Sequence, residues 1–255
     1  MWEAPVAKPD TWSGCVSTCY CGVVMARSID DLKRLAAEKA ALFLDGVRVL
    51  GLGTGSTAAL FVDVVGEMVQ SGALRGLVAI PTSIATEEQA RELGIPLTDL
   101  EVHPRVDVTV DGADEVSRDL DLIKGLGGAL AREKIVASAS RELIIVVDDS
   151  KLVNALGEQS PLPVEVLPFG WKTIEPRLHE LGAEPHLRCQ GGEPFVTDQG
   201  NYILDCIFPA GIADPSATGQ SIDSIPGVIA QGMFLRMADR VVVAGEGGVR
   251  ILERP

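Results

Sequence analysis

Between residues 30 and 44 the apolar positions Leu32, Leu35, Ala36, Ala40 and Phe43 recur every three or four residues, the spacing of one helix face. Ser28 or Asp30 can cap the start of this helix, and Gly46 follows its end. The period then changes. VRVLGL is a short apolar run, GTGST a glycine-rich turn, and the residues after it resume helical spacing. The alternation continues with a strand over 77–80 and a helix carrying Glu88, Ala90 and Leu93, stopped at Gly94-Ile95-Pro96. A strand over 106–110, a helix over 128–139 and the run LIIVV at 143–147 follow. Such strands, separated by helices, predict an α/β fold with an open, mostly parallel Rossmann-like sheet covered on both faces.

The rhythm shifts after Leu156. Strands are expected over 164–166, 184–188, 201–207 and 228–234, with helices over 171–181 and 215–224. The order β-α-β-β-α-β is the ferredoxin-like pattern and predicts a second, smaller α+β domain. The apolar run 240–244 is placed to rejoin the first sheet. The expected division is therefore a catalytic domain of residues 28–157 and 235–255, with a small domain of 158–234. Residues 1–27 lack a clear period and form an expected disordered N-terminal extension, with Met25 as an alternative start.

Charge narrows the partners. A formal charge of −14 over 255 residues argues against nucleic acid or an anionic membrane surface, both of which require a basic face. No apolar run approaches the roughly 20 residues of a membrane span. Five cysteines, an odd number, with no secretory signal favour a reducing, cytoplasmic setting. Cys15, Cys19 and Cys21 lack the paired spacing of a structural zinc site. His103, His179 and His186 show no metal-ligand spacing either, so metal-dependent chemistry is not expected.

Two motifs carry the chemistry. Gly51, Gly53 and Gly55 permit tight turning and close approach to a ligand, while Thr54, Ser56 and Thr57 stand at a helix N-terminus suited to phosphate. This stretch is not a Walker A loop, and by itself it is also compatible with a plain strand-to-helix turn. The second motif is VTVDGADEVSRDLDLIKGLGGALAREK, residues 108–134. Asp111 and Asp114 end an apolar strand, where ligands of open α/β sheets gather. Alone, Asp-Gly would equally be a solvated turn, and Glu133-Lys134 an exposed helix pair. Together, paired acids, Lys124, a glycine loop and Glu133 suit proton transfer beside a carbonyl, with an enediolate stabilised by lysine and backbone amides. Glu115 is expected to serve a turn or cap.

GLGTGSTA, VDGADEV, KGLGGALAREKIVA, DDSKLV and LPVEVLPFG resemble, in order and spacing, the type A ribose-5-phosphate isomerases, from about Lys33 to the C-terminus. The resemblance implies interconversion of ribose 5-phosphate and ribulose 5-phosphate in the pentose phosphate pathway, without metal or organic cofactor, by a homodimer or homotetramer. It also implies Glu133 as the base, and Thr54, Gly55, Ser56 and Thr57 as the first substrate loop. Asp111, Gly112, Ala113 and Asp114 would form the second, assisting ring opening or hydroxyl proton transfer. Lys124, Gly125, Leu126 and Gly127 would form the third, with Lys124 countering enediolate charge. Lys151 and a lysine of the first helix, Lys33 or else Arg34, would complete the phosphate end. Many relatives have three consecutive glycines where this chain has Gly125-Leu126-Gly127, which puts the loop conformation in question. The competing readings are a sugar-phosphate sensor domain and another sugar-phosphate enzyme of the same fold; a sensor of the repressor type would need a basic helix-turn-helix, for which the segment before Asp30 is too short.

Overall fold

The computed structural model describes residues 28–254. The N-terminal extension, with Met25 and the Cys15, Cys19 and Cys21 cluster, lies outside the described residues.

Helix α1 (Ile29–Ala41) starts at a capping box, in which Ser28 and Asp31 each bond the other's backbone N–H. It is followed by β1 (Val49–Leu52), α2 (Ser56–Gln70), β2 (Val78–Pro81), α3 (Ile84–Glu92) and β3 (Val108–Asp111). A two-residue hairpin that the apolar period did not announce comes next, β4 (Glu115–Val116) and β5 (Leu122–Ile123). Helix α4 (Leu130–Ala139) and β6 (Leu143–Asp148) complete this stretch. The remaining elements are β7 (Leu162–Val166), α5 (Glu175–Glu180), β8 (Glu184–Leu187), a hairpin of β9 (Cys189–Gln190) and β10 (Glu193–Pro194), β11 (Tyr202–Ile207), α6 (Pro215–Asp223), β12 (Val228–Gln231), β13 (Met233–Phe234), β14 (Arg240–Gly245) and β15 (Gly248–Glu253).

The large sheet has the order β15-β14-β6-β3-β1-β2, parallel except for the terminal β14–β15 hairpin. Its central strand β6 is buried throughout. Ile144 and Val146 join the core under α1 and α2 with Phe61 and Leu50, while Ile145 and Val147 join the opposite core with Phe234 and Val243. An apolar run buried on both faces is what a covered parallel strand requires. β14 does the same, with Val242 on one face and Val241 on the other. The chain therefore rejoins the first sheet as expected, and then adds β15.

The second sheet has the order β12-β7-β11-β8, antiparallel throughout. In chain order that is fourth, first, third, second, the ferredoxin-like arrangement, and its core holds Leu162, Val164, Leu178, Leu204 and Ile222. The helix expected over 171–181 is a 3-10 turn at Trp171–Thr173 followed by α5, because Pro176 lacks an N–H and fits only at a helix start. The strand expected over 228–234 divides at Gly232. Its N–H bonds Pro163 O and its carbonyl accepts from Lys124 N–H, so one residue joins the second sheet to a small three-stranded sheet of β13, β5 and β4. A Cβ there would lie 2.4 Å from Lys124 O, which only glycine avoids.

Glu115 is fully buried and makes a turn, not a catalytic site. Its carboxylate accepts from the N–H groups of Gly157 at 2.7 Å and of Gln159 and Ser160 at 2.6 Å. Glu115→Ala leaves three backbone donors without their carboxylate and is expected to lower the unfolding free energy by roughly 2–3 kcal/mol. Urea unfolding with an unchanged slope measures this; a wild-type midpoint would mean that the turn holds without it.

Candidate active site

β1 leads to β2 on one side, and the chain then crosses to β3 on the other. The strand order thus reverses between β1 and β3, and the loops leaving their carboxyl ends open a crevice. The glycine turn after β1 packs against β3 more closely than its ligand-binding look implied. A Cβ on Gly51 would lie 1.9 Å from Thr109 Oγ1, and one on Gly53 2.2 Å from Asp111 Oδ1. These two glycines make room for β3 side chains. Gly55 needs glycine for its backbone, at φ +113°, and it opens α2 without a side-chain cap. The first N–H groups of α2 are consequently available to an anion. Beside them Lys33 Nζ donates to Ser56 Oγ at 2.9 Å, whereas Arg34 turns away to Glu38 and Glu67. Thr57 is buried in the first turn.

Thr54 is held from two sides. Its N–H donates to Asp111 Oδ1 at 3.0 Å, and its hydroxyl meets Thr82 at 2.7 Å and Ser83 at 2.9 Å, with Thr86 3.2 Å away. Thr86 in turn donates to Gly53 O. Thr82 and Ser83 lie between the expected strand over 77–80 and the next helix, outside the two motifs, and the only signal for this support is the three hydroxyls at the end of β2 and the start of α3.

The charged centre is Lys124. Its ammonium lies 3.0 Å from Asp111 Oδ2 and 3.3 Å from Glu133 Oε1, and donates to Gly112 O at 2.6 Å. Lys124, Asp111 and Glu133 are 2%, 1% and 3% exposed, so water does not stabilise any of them. Burial by itself lowers the Lys124 pKa, but Asp111 and Glu133 outweigh it and the net shift is upward, keeping the ammonium charged. Burial raises Asp111 against the opposing pull of Lys124 and two backbone N–H bonds. Burial also pushes the Glu133 carboxyl up to about 8, again against Lys124. Glu133 sits in the first turn of α4, and among the described residues its Oε2 has no hydrogen-bond partner. The exposed helix pair weighed for Glu133-Lys134 is thus corrected. Lys134 is half-buried, donating to the carbonyls of Gln231 and Met233 with its ammonium 5.0 Å from the Phe234 ring, and pins α4 to the 231–234 segment.

Asp114 is half-buried, and its Oδ2 accepts the Leu126 N–H at 3.0 Å, joining the second and third loops. Ala113 lies between the two acids, half-buried like Gly112. In the third loop Gly125 and Gly128 have positive φ, 105° and 84°, while Leu126 and Gly127 do not. Leucine therefore replaces glycine where the backbone tolerates a side chain, and Leu126 turns outward, 41% exposed. Lys151 stands half-buried in the 3-10 turn after β6 and makes no hydrogen bond or ion pair with the other candidates among the described residues. Arg188, just after β8, and Phe195, just after β10, touch the third loop. They lie some sixty residues further on, outside every motif, and no local signal marked them. Among the described residues no group of His, Cys, Asp and Glu is placed to hold a metal, and no helix is long and apolar enough to cross a membrane.

Residues 78–248 match the family model for ribose 5-phosphate isomerase A (phosphoriboisomerase A). The chain is 54% identical over 225 residues to the ribose-5-phosphate isomerase A of Gloeobacter violaceus, covering 88% of this chain and 96% of that protein. It is 50% identical over 236 residues to a probable ribose-5-phosphate isomerase 3, chloroplastic, of Arabidopsis thaliana, covering 90% and 86%. A solved D-ribose-5-phosphate isomerase in complex with phospho-erythronic acid superposes with a TM-score of 0.87 at 41% identity, covering 89% of this chain and 100% of the other. With these identities across nearly its whole length, the chain belongs to the ribose 5-phosphate isomerase A family.

Proposed function

We propose that this protein interconverts D-ribose 5-phosphate and D-ribulose 5-phosphate through an enediolate, in the non-oxidative branch of the pentose phosphate pathway. The observation that carries the reading is Glu133, a buried carboxylate with one oxygen beside Lys124 and the other without a hydrogen-bond partner among the described residues. A site that only bound sugar phosphates would have no use for that unpaired oxygen, which favours an enzyme over a sensor. A relative solved with phospho-erythronic acid supports a phosphorylated ligand.

In the open-chain aldose, Glu133 takes the proton from C2, and the electron pair moves into the C1–C2 bond as charge gathers on the C1 oxygen. Lys124 and loop N–H groups stabilise that charge. A hydroxyl proton passes from O2 to O1, and Glu133 returns its proton to C1, giving the ketose. Asp111 is occupied by Lys124, Thr54 and Gly112, so its part is to hold the lysine and the first loop. Asp114 is more open, with Oδ2 on Leu126 N–H, and is the better shuttle for ring opening and hydroxyl protons. Lys33, Ser56 and the start of α2 receive the phosphate, with Thr54, Gly55 and Thr57 shaping that loop and Lys151 completing it from the end of β6. Gly125, Leu126 and Gly127 line the third side.

The division into 28–157 with 235–255 and 158–234 as separate domains, a cytoplasmic site of action, a homodimeric or homotetrameric assembly and independence of metal belong to the same reading.

Turnover of ribose 5-phosphate in buffer containing EDTA tests it, and Glu133→Gln is expected to lower kcat by at least ~10²-fold. Equal rates for both proteins would remove Glu133 as the base. For Lys124→Ala a larger loss in kcat than rise in KM is expected, because its partner is transition-state charge; a change confined to KM would assign it to ground-state binding. The pH profile carries its own sign. A base must be ionised, so kcat/KM rises with pH and levels off above about 8, where burial places Glu133. A profile flat between pH 6 and 9, about two units below and one above that value, would contradict the assignment.

A further inference from the structure

We propose that Arg188, fixed by Asp205, is a positioning residue that sets the peptide orientations of the third loop from the second sheet. Arg188 follows β8, and its backbone is tied down on both sides: its N–H bonds Ile203 O and its carbonyl accepts from Phe195 N–H, both at 2.8 Å. The guanidinium makes a two-pronged bond to Asp205 on β11, Nε to Oδ2 at 2.9 Å and Nη2 to Oδ1 at 2.5 Å. The remaining terminal nitrogen, Nη1, points across the seam. It donates to Gly125 O at 3.1 Å and Leu126 O at 3.0 Å.

A trans peptide is planar, and its C=O and N–H point to opposite edges. The Gly125 carbonyl accepts from Arg188 and, within the loop, from the Gly128 N–H at 2.9 Å, so the Leu126 N–H faces the other way, where it meets Asp114 Oδ2 at 3.0 Å. One peptide group is held at both ends, by the second sheet and by a candidate proton shuttle. The next peptide is turned the same way, which presents the Gly127 N–H on the crevice side. Gly127 stands across from Thr54: a Cβ on it would meet Thr54 Cγ2 at 3.8 Å. Among the described residues that N–H has no acceptor. Phe195 completes the grip, its ring lying where a Cβ on Gly128 would come within 2.5 Å of Cζ, with the Arg188 guanidinium 5.7 Å from its centroid. Lysine could not do this, since one ammonium cannot fork a carboxylate and reach two carbonyls in a fixed plane. Arg188 touches no reacting atom. It acts by aiming the N–H groups of Leu126 and Gly127, which the isomerase reading places beside developing oxyanion charge.

The test uses the full chain with Arg188→Met, Arg188→Lys and Asp205→Asn. Two readouts are taken: amide hydrogen exchange at Leu126 against Ile145 in β6, and kcat with KM for ribose 5-phosphate. Protection of the Leu126 N–H is expected to fall at least ~10-fold in Arg188→Met, as for loss of a charged hydrogen bond, with Ile145 unchanged. In the same variant kcat is expected to fall ~10-fold to 10²-fold through misplaced loop amides, with KM changed less. Arg188→Lys and Asp205→Asn should shift both readouts in the same direction, and they decide the matter if Arg188→Met does not fold. Wild-type protection and wild-type kcat in the folded variants would overturn the proposal, as would equal losses at Leu126 and Ile145. If the wild-type protein fails to turn over ribose 5-phosphate, the isomerase reading falls, and the exchange arm still decides the clamp.

Discussion

A lysine ammonium removed from water is the constraint around which the candidate active site is arranged. Placing Lys124 at the end of a covered sheet carries a desolvation cost of several kcal/mol, and only close, well-directed partners offset it. Asp111, Glu133 and Gly112 O are those partners, and each comes from a different piece of the fold. β3 delivers Asp111, the turn after it delivers Gly112, and the first turn of α4 delivers Glu133. Because Asp111 also binds the Thr54 N–H, the position of the phosphate-type turn follows from the position of the lysine. Gly51 and Gly53 are then obligatory for packing reasons, since any side chain would displace the strand that carries Asp111.

The second sheet is tied to this cluster through three polar contacts of different kinds. Gly232 joins Pro163 to the backbone of Lys124, Lys134 draws α4 onto the 231–234 carbonyls, and Arg188 reaches the third loop. All three act on backbone groups, so each fixes a direction as well as a distance. Apolar packing between two sheets would fix neither so closely, because it is non-directional.

Much of this was legible in the linear pattern. The parallel strands show themselves as unbroken apolar runs, and β6 and β14 prove buried on both faces for that reason. The motifs around Asp111, Lys124 and Glu133 also fall together, because strand ends at a reversal of strand order must share a crevice. What escaped has physical causes. The hairpins β4–β5 and β9–β10 are made of two-residue strands, too short for a period to register, and β15 is an edge strand added beyond the expected β14. The apolar run 228–234 hides its change of sheet because periodicity reports burial, not the partner strand. Gly51 and Gly53 look like ligand-binding glycines because sequence shows absence of a side chain without showing what takes its place. Arg188 and Lys134 are ordinary surface residues by type, and only tertiary contact turns one into a clamp and the other into a pin.

The unpartnered oxygen of Glu133 has a consequence beyond chemistry. A buried acceptor without a donor weakens the folded state, and a side chain of the same shape with a satisfied group would not. The other oxygen of the same carboxylate partners Lys124, so on the isomerase reading position 133 carries a stability cost at one oxygen that the function proposed for the side chain explains. On that reading, position 133 is where the durability of the molecule and its usefulness part company.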